Sequence, residues 1–459
     1  MYKINFKEPI HVHFIGIGGI SMSGLAEILL KAGFKITGSD FKASETTAQL
    51  ETMGALVYIG QRASNIEDTP DLVVYTAAIA KDNEELVACQ EANIPMLTRA
   101  QLLGQIMDNY KKSVAVSGTH GKTTTTSMLS HIFLEADVDP TISVGGMLDA
   151  IGGNIRVGET DYFVTEACEY TNSYHSFFPK ISIILNVDAD HLDFFSGIEE
   201  IKESFHTFAQ NLGEDGILVV NGDMEAYDAV TKDLKCKIIT FGLYNKNTYY
   251  AENVSADDAG HMHFTVVKEG TVLGDIQLSV GGEHNVTNAL SVIAAAEELG
   301  IDFEPCRLGL LSFVGAKRRF EVKGKIGDVT IIDDYAHHPT EIVATLNTAQ
   351  HTPHNELWLV FQPHTYTRTK ALFDEFAEAL SKADHVILAD IYAAREKDTG
   401  LVHSKDLQKK LTDLGVDAHY FGSFDEIENF LLINCKKNDL LITMGAGDVV
   451  NIGEHLLGK

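Results

Sequence analysis

The sequence predicts an α/β protein of three domains. Short strands rich in β-branched residues alternate with segments of helical spacing over residues 11–40 and again over 329–443, the order that builds doubly wound parallel sheets. Between these blocks, residues 113–133 read strand, glycine turn, helix. A chain of 459 residues with 45% hydrophobic content has room for about three cores at ~150 residues each. The boundaries fall at 1–107, 108–312 and 313–459.

In the first domain His11–Ile15 is a strand, Gly16-Ile17-Gly18-Gly19 a turn and Ile20–Ala32 a helix. A second strand starts at Lys35 and ends at Asp40, where the acid of a Rossmann unit meets a ribose. Ser21 stands at the third glycine position of G-x-G-x-x-G, so a plain βαβ unit fits the same residues. The strand Leu72–Thr76 runs into the small turn Ala77-Ala78. The domain reads as Rossmann-like, with its ligand at the strand ends.

The second domain carries Gly118-Thr119-His120-Gly121-Lys122-Thr123-Thr124 between a strand, Ser113–Ser117, and a helix marked by Met128, Leu129, Ile132 and Phe133. That is the layout of a phosphate-binding loop, shortened because Val116 occupies the first glycine position. Glycines let backbone amides wrap a polyphosphate at the helix start. Lys122 would reach the β/γ-phosphates of ATP, and the Thr123 hydroxyl would hold Mg²⁺. The domain reads as P-loop ATPase-like. Tyr162–Thr165 ends in Glu166, and Ile181–Val187 ends in Asp188-Ala189-Asp190-His191-Leu192-Asp193. Ligands of open α/β sheets sit at the carboxyl ends of strands, so these segments share an edge with the P-loop. A carboxylate there suits a cation bridging phosphates. By spacing alone the acidic segment is equally consistent with a solvated turn, and magnesium prefers oxygen to His191. Residues 237–280 read as a small antiparallel addition. His284, Asn285 and Asn288 open an alanine-rich helix, either as caps or as groups facing a base or ribose.

Leu311–Arg319 reads as the hinge into a third, Rossmann-like domain. Its strands are Val329–Asp333, Leu357–Phe361, His385–Ala389 and Leu440–Thr443, with helices near 340–349, 367–382, 404–414 and 424–432. The strand ends carry Asp334-Tyr335-Ala336-His337-His338-Pro339, Gln362–Arg368, Tyr392–Arg395 and Gly445–Asp448. Four polar segments at the ends of one sheet indicate a site facing the P-loop domain.

Composition narrows the function. A formal net charge of −29 provides no broad basic face for nucleic acid. Five scattered cysteines form neither a disulfide framework nor a zinc spacing and suit a reducing cytoplasm. The N-terminus lacks a signal-peptide core, and no apolar run approaches the ~18 residues of a membrane span.

The motifs HFIGIGGISMSG, SGTHGKTTTT, EACEY, DADHLD, GEHNVTNA, GAKRRFE, DDYAHHPTEI, FQPHTYTRTKALFDEF and DIYAAREKDTG occur in this order along the chain. As an ordered set they resemble the Mur ligases, ATP-dependent amide-bond formers of bacterial peptidoglycan precursor synthesis, and within them the alanine-adding branch. The resemblance implies three domains that bind a UDP-sugar, ATP and an amino acid in turn. It implies UDP-N-acetylmuramate and L-alanine as substrates, two Mg²⁺ ions that Mn²⁺ can replace, and a monomer or homodimer. By the same resemblance Gly18, Gly19, Asp40, Thr76, Ala77 and Ala78 meet the UDP group. Gly118 to Thr124 hold the ATP phosphates, with Lys122, Glu166 and His191 catalytic and Thr123, Glu166 and His191 on metal. His284, Asn285 and Asn288 lie near adenine, Asp334 near its ribose, and Arg319 approaches the phosphates on closure. Tyr335, His337 and Arg368 position the amino acid. The chain departs from the family pattern at Ser21 and at His364-Thr365-Tyr366, where relatives can have PHRY. His206 stands where sister ligases carry a carbamylated lysine, so no such group is expected. Other readings of the same residues are a dehydrogenase, a regulatory ATPase and a ligase that recycles a preformed peptide.

Overall fold

The computed structural model describes residues 2–76, 79–192, 194–257, 260–394, 396–398 and 400–459. Ala77 and Ala78 of the expected UDP site lie outside the described residues, as do Asp193 and Arg395.

Among the described residues three sheets form, one per domain. The first contains β1 (His11–Ile15), β2 (Lys35–Asp40), β3 (Leu56–Ile59), β4 (Leu72–Tyr75) and β5 (Met96–Thr98), all parallel, in the order β3-β2-β1-β4-β5. Winding reverses between β1 and β4, which opens a crevice at their carboxyl ends. Gly16 turns there at φ 85°, so that the amides of Gly16 and Ile17 both donate to the Ser39 carbonyl.

The central sheet has ten strands: β6 (Lys112–Ser117), β7 (Thr141–Leu148), β8 (Gly153–Arg156), β9 (Tyr162–Glu166), β10 (Ile181–Ile184), β11 (Ile217–Asn221), β12 (Lys237–Gly242), β13 (Tyr249–Ala256), β14 (Met262–Lys268) and β15 (Thr271–Gln277). Their order is β15-β14-β13-β12-β11-β10-β6-β9-β7-β8. The stretch 237–280 is therefore not a separate antiparallel addition. β12 and β13 extend the parallel sheet, and antiparallel pairing begins only at β13–β14. The five-residue helix Tyr227–Thr231 lies in the crossover between β11 and β12, and it is too short to show as helical periodicity.

The third sheet runs β16-β17-β21-β18-β19-β20, from β16 (Glu321–Ile326), β17 (Val329–Asp334), β18 (Leu357–Phe361), β19 (His385–Leu388), β20 (Asp417–Tyr420) and β21 (Leu440–Met444). Its strands are parallel except the edge strand β16. β16 and β20 escape the sequence reading because both are short, polar edge strands. The expected helix 367–382 breaks at Leu372 into Tyr366–Ala371 and Phe373–Leu380.

Side-chain alternation divides the cores. On β6, Ala115 faces a buried cluster that runs from Phe14, Leu29 and Ile106 of the first domain to Phe163, Phe205 and Leu218 of the second. Val114 and Val116 face the other cluster, with Met128 and Ile132 of the P-loop helix Lys122–Glu135. The rings of Phe34, Phe6, Tyr110 and Phe163 continue the first contact, at centroid separations of 6.1, 5.8 and 4.9 Å. The third domain buries its own clusters, around Leu359 on one sheet face and Val360 on the other. Among the described residues, no helix is long and apolar enough to cross a membrane.

Gly104, on the helix Arg99–Met107, sets how closely the first two domains approach. A Cβ there would lie 1.8 Å from the Ser176 carbonyl oxygen. Backbone cannot swing aside as a side chain does, so Gly104→Ala should destabilise the chain by about 1–3 kcal/mol, read as a lower melting temperature. An unchanged melting temperature would show that this approach is not a constraint.

Candidate active site

β6 lies between β9 and β10, so the segments leaving these three strands emerge side by side. The P-loop leaves β6. Gly118 (φ 149°) and Gly121 (φ 85°) adopt conformations that side chains resist. Asn186, just after β10, braces the loop: its side-chain oxygen accepts from the His120 amide at 2.8 Å and its NH₂ donates to the His120 carbonyl at 3.1 Å. The P-loop helix begins at Lys122 with no side-chain cap on its first amides, which leaves them directed at an incoming anion.

Lys122 donates to both oxygens of Glu169 at 2.9 and 3.2 Å and to the Thr119 carbonyl at 3.0 Å. Burial works against its charge, but Glu169, followed by Cys168 and Glu166, outweighs it and holds the ammonium protonated above the ordinary lysine range. Glu169 is 2% exposed. Its position in EACEY shows only a second acid near a strand end; that it meets Lys122 is a tertiary fact.

Glu166 ends β9 and accepts from the Gly145 amide at 2.6 Å. A Cβ on Gly145 would lie 2.8 Å from a Glu166 oxygen, and one on Gly146 would lie 3.4 Å from the Thr123 methyl. Gly145 and Gly146 of β7 thus leave room for Glu166 and Thr123 respectively. His191 stands at φ 53° with Nε2 3.7 Å from Glu169, and its ring lies 4.7 Å from that of Tyr170. Burial lowers its pKa against the pull of Asp190 and Glu169. A hydroxyl, a carboxylate and an imidazole that stays neutral at pH 7 fit a divalent cation.

The nucleotide-side residues divide. Asn288 borders the P-loop, with its Oδ1 3.2 Å from the Cβ position of Gly121, and it donates to Asn285 at 3.2 Å. Asn285 donates to the Gly281 carbonyl, and His284 is exposed at the helix start. Arg319 lies 3.6 Å from Glu341 and over the Tyr335 ring at 5.3 Å. Asp334 is 5% exposed, and its oxygens accept from the amides of Phe320 and Ala336 at 2.8 and 2.7 Å. Burial raises its pKa to about 6 although Arg319 opposes this. Its carboxylate thus shapes the end of β17 from within.

At the first sheet, Gly18 donates its amide to Asp40 at 2.8 Å, and Gly19 precedes the helix Ile20–Lys31 without a side-chain cap. The Thr76 methyl lies 3.2 Å from the Cβ position of Gly16. These residues share the crevice between β1 and β4.

The third domain closes the site. Tyr335 and His337 are 5.5 Å apart, and His337 and His364 5.8 Å. Burial pushes His337 down to about 4, so its imidazole is neutral. Arg368 reaches His364 at 3.1 Å, and its Nε and Nη2 donate to Asp190 of the central domain at 3.0 and 2.9 Å. Burial opposes the Asp190 charge, but Arg368 leads the groups that depress its pKa. More bonds cross the same junction. Thr340 donates to Asp188 at 2.6 Å, His338 to the Ala189 carbonyl at 3.0 Å, and Glu341 lies 3.2 Å from His120 Nδ1. His120 also meets Asp188 at 3.4 Å. His206 lies in the helix Ile198–Gln210, bonded to the Val230 carbonyl and Gln210. Glu341 escaped the sequence reading, although it falls one helical turn beyond His337, a spacing that brings side chains together.

Three family models cover most of the chain: Mur ligase family, catalytic domain, over 11–111; Mur ligase middle domain, over 116–296; and Mur ligase, glutamate ligase domain, over 318–447. A UDP-N-acetylmuramate–L-alanine ligase of Agathobacter rectalis is 58% identical over the full length of both chains. This chain belongs to the Mur ligase family. A ligase of the same name from Clostridium botulinum is 51% identical to this Mur ligase over 97% of it and 96% of the relative. Among solved structures, a UDP-N-acetylmuramate–alanine ligase of Thermotoga maritima matches at 32% identity and a TM-score of 0.77, with 98% of each chain covered. A murein peptide ligase of Psychrobacter arcticus matches at 26% and 0.66, again with 98% of each chain covered. Membership implies ATP and a divalent metal.

The junction of this Mur ligase titrates. Burial alone would lower the His120 pKa, but Glu341 and Asp188 raise it to about 9 from the ordinary 6.5. A folded pKa above the unfolded one stabilises the fold fully below about 6.5, and the contribution is lost as pH rises through about 9. The melting-temperature gap between the chelator-treated parent and His120→Gln should therefore be wide at about pH 6 and narrow at about pH 10. A constant gap would contradict the pairing.

Proposed function

We propose that this Mur ligase joins L-alanine to the lactyl carboxylate of UDP-N-acetylmuramate through an acyl phosphate, releasing ADP and phosphate, in the synthesis of peptidoglycan precursor. The observation that carries this reading is the 58% identity, end to end, with a relative of that name. We assign 1–107 to the UDP-sugar, 108–312 to ATP and 313–459 to the amino acid.

A carboxylate oxygen is a poor leaving group, so it must first take the γ-phosphoryl of ATP. The amides that open the P-loop helix receive the phosphates, and Lys122 exchanges Glu169 for the β/γ-oxygens. Its charge then opposes the repulsion between an anionic nucleophile and an anionic phosphate. Thr123, Glu166 and His191 are the residues that would hold Mg²⁺, two ions in our reading, with Mn²⁺ able to replace it. The metal supplies charge neutralisation at the phosphate oxygens. Asn288 bounds the nucleotide pocket beside the P-loop, and Gly18, Gly19, Asp40 and Thr76 line the crevice for the UDP group.

In the second step a neutral amine attacks the anhydride. Arg368, held by Asp190 through Nε and Nη2, would turn Nη1 from His364 to the alanine carboxylate. Tyr335 and the uncharged His337 bound the pocket on the amine side. The bonds across the junction keep water from the acyl phosphate while both substrates are in place.

Lys122→Ala should lower kcat by about 10²–10³-fold or more. Removing the lysine leaves buried Glu169 unpaired, so Lys122→Ala/Glu169→Gln should show the same loss at parental thermal stability. Near-parental kcat in either folded variant would refute the assignment. Glu166→Ala and His191→Ala should lower activity, and raised Mg²⁺ or substituted Mn²⁺ should restore part of it in at least one. Parental turnover in both would remove them from the metal site. With UDP-N-acetylmuramate, ATP and single amino acids, L-alanine should react best. Glycine and serine should follow, since a size-selective pocket discriminates by only ~1–3 kcal/mol per methylene. AMP in place of ADP, or reaction with a preformed tripeptide but not L-alanine, would overturn the proposal.

A further inference from the structure

His120, Asp188 and His338 meet where the P-loop touches the third domain, and one ligand atom from each lies within 4.8 Å of the others. His120 Nε2 is 3.4 Å from Asp188 Oδ2, and His338 Nδ1 is 3.9 Å from the same oxygen. The ring centroids are 4.9 Å apart. His338 is 4% exposed.

We propose that these three side chains form a site for a borderline-soft divalent transition metal such as Zn²⁺, which would tie the P-loop to the third domain. The remaining ring nitrogens support this. His120 Nδ1 faces Glu341 at 3.2 Å, and His338 Nε2 donates to the Ala189 carbonyl at 3.0 Å. An acceptor on the far nitrogen sets the tautomer and aims the other nitrogen's lone pair, as in histidine metal sites. His338 Nδ1 is then left as an acceptor, and His120, which Glu341 and Asp188 hold protonated in the metal-free chain, gives up its second ring proton as the ion binds. Zinc bonds of ~2.0–2.1 Å place tetrahedral donors about 3.3–3.5 Å apart. The Asp188 separations need only modest contraction, and the weak Thr340 amide bond to His338 Nδ1, 3.3 Å long, would be given up.

Two imidazoles and one carboxylate select against Mg²⁺ and for zinc-like ions, unlike the oxygen-richer set of Thr123, Glu166 and His191. Two ligands come from the central domain and one from the third. The ion therefore binds only the joined arrangement, and it should hold the domains together and slow turnover.

Co²⁺ is the probe, added to the chelator-treated full chain in saturating Mg²⁺. One equivalent should bind with the intense visible absorption of a four-coordinate site, and Zn²⁺ should displace it. His338→Gln and Asp188→Asn should each weaken binding at least tenfold, while His191→Gln keeps it. Zn²⁺ should inhibit the parent ligation in saturating Mg²⁺, and His338→Gln should raise the inhibitory concentration in proportion. No such spectrum in the parent, parental binding by folded His338→Gln and Asp188→Asn, or loss in His191→Gln alone would each overturn the proposal. Whether the chain ligates alanine or another amine leaves the spectra unchanged.

Discussion

The site depends on β6, β9 and β10 lying side by side and parallel. Parallel strands release their following segments at one edge, so the P-loop, Glu166 with Glu169, and the run from Asp188 to His191 reach the same place from three distant stretches of chain. The strand cores are fully buried at Val114, Val116, Val164 and Ile183. A slip of one residue would turn these side chains to the opposite face and carry Lys122 and Glu166 with it.

Two kinds of contact join the domains. The first and second share apolar surface, with the approach limited by Gly104 and by Gly24, where a Cβ would lie 2.4 Å from Ile155. Such a seam opens only at the cost of exposing hydrocarbon to water. The second and third meet through Arg368–Asp190, Thr340–Asp188, His338–Ala189 and His120–Glu341. These groups are solvated when apart, so separation exchanges one set of hydrogen bonds for another. The polar junction is the one suited to opening for substrates, and Leu311–Arg319 is the stretch of chain that links the two domains.

The same contrast explains what could be read before folding. P-loop chemistry is local: glycines, lysine and threonine sit in consecutive positions, and Lys122 opens its helix where the spacing puts it. Strands β1, β9 and β18 declared themselves by runs of buried apolar residues. The direction of β12 did not, because a strand's pattern is the same whichever way its neighbour runs. Arg368 could be assigned to an amino acid's carboxylate, but not to its bond with Asp190, 178 residues away in sequence. The family resemblance places Asp334 near a ribose, but not its burial against the amides of Phe320, just before β16, and Ala336, just after β17.

By itself, then, the amino-acid sequence determined the α/β class, the three-domain order, the phosphate-binding loop and, through its ordered motifs, the family. These follow from residues close in the chain, where covalent spacing alone sets geometry. Tertiary structure decided that Glu169 neutralises Lys122, that Gly145 of β7 donates its amide to Glu166, and that Asp188 and Asp190 bind the third domain. Burial separates these outcomes, because a carboxylate withdrawn from water must find a cation or a donor wherever the fold supplies one.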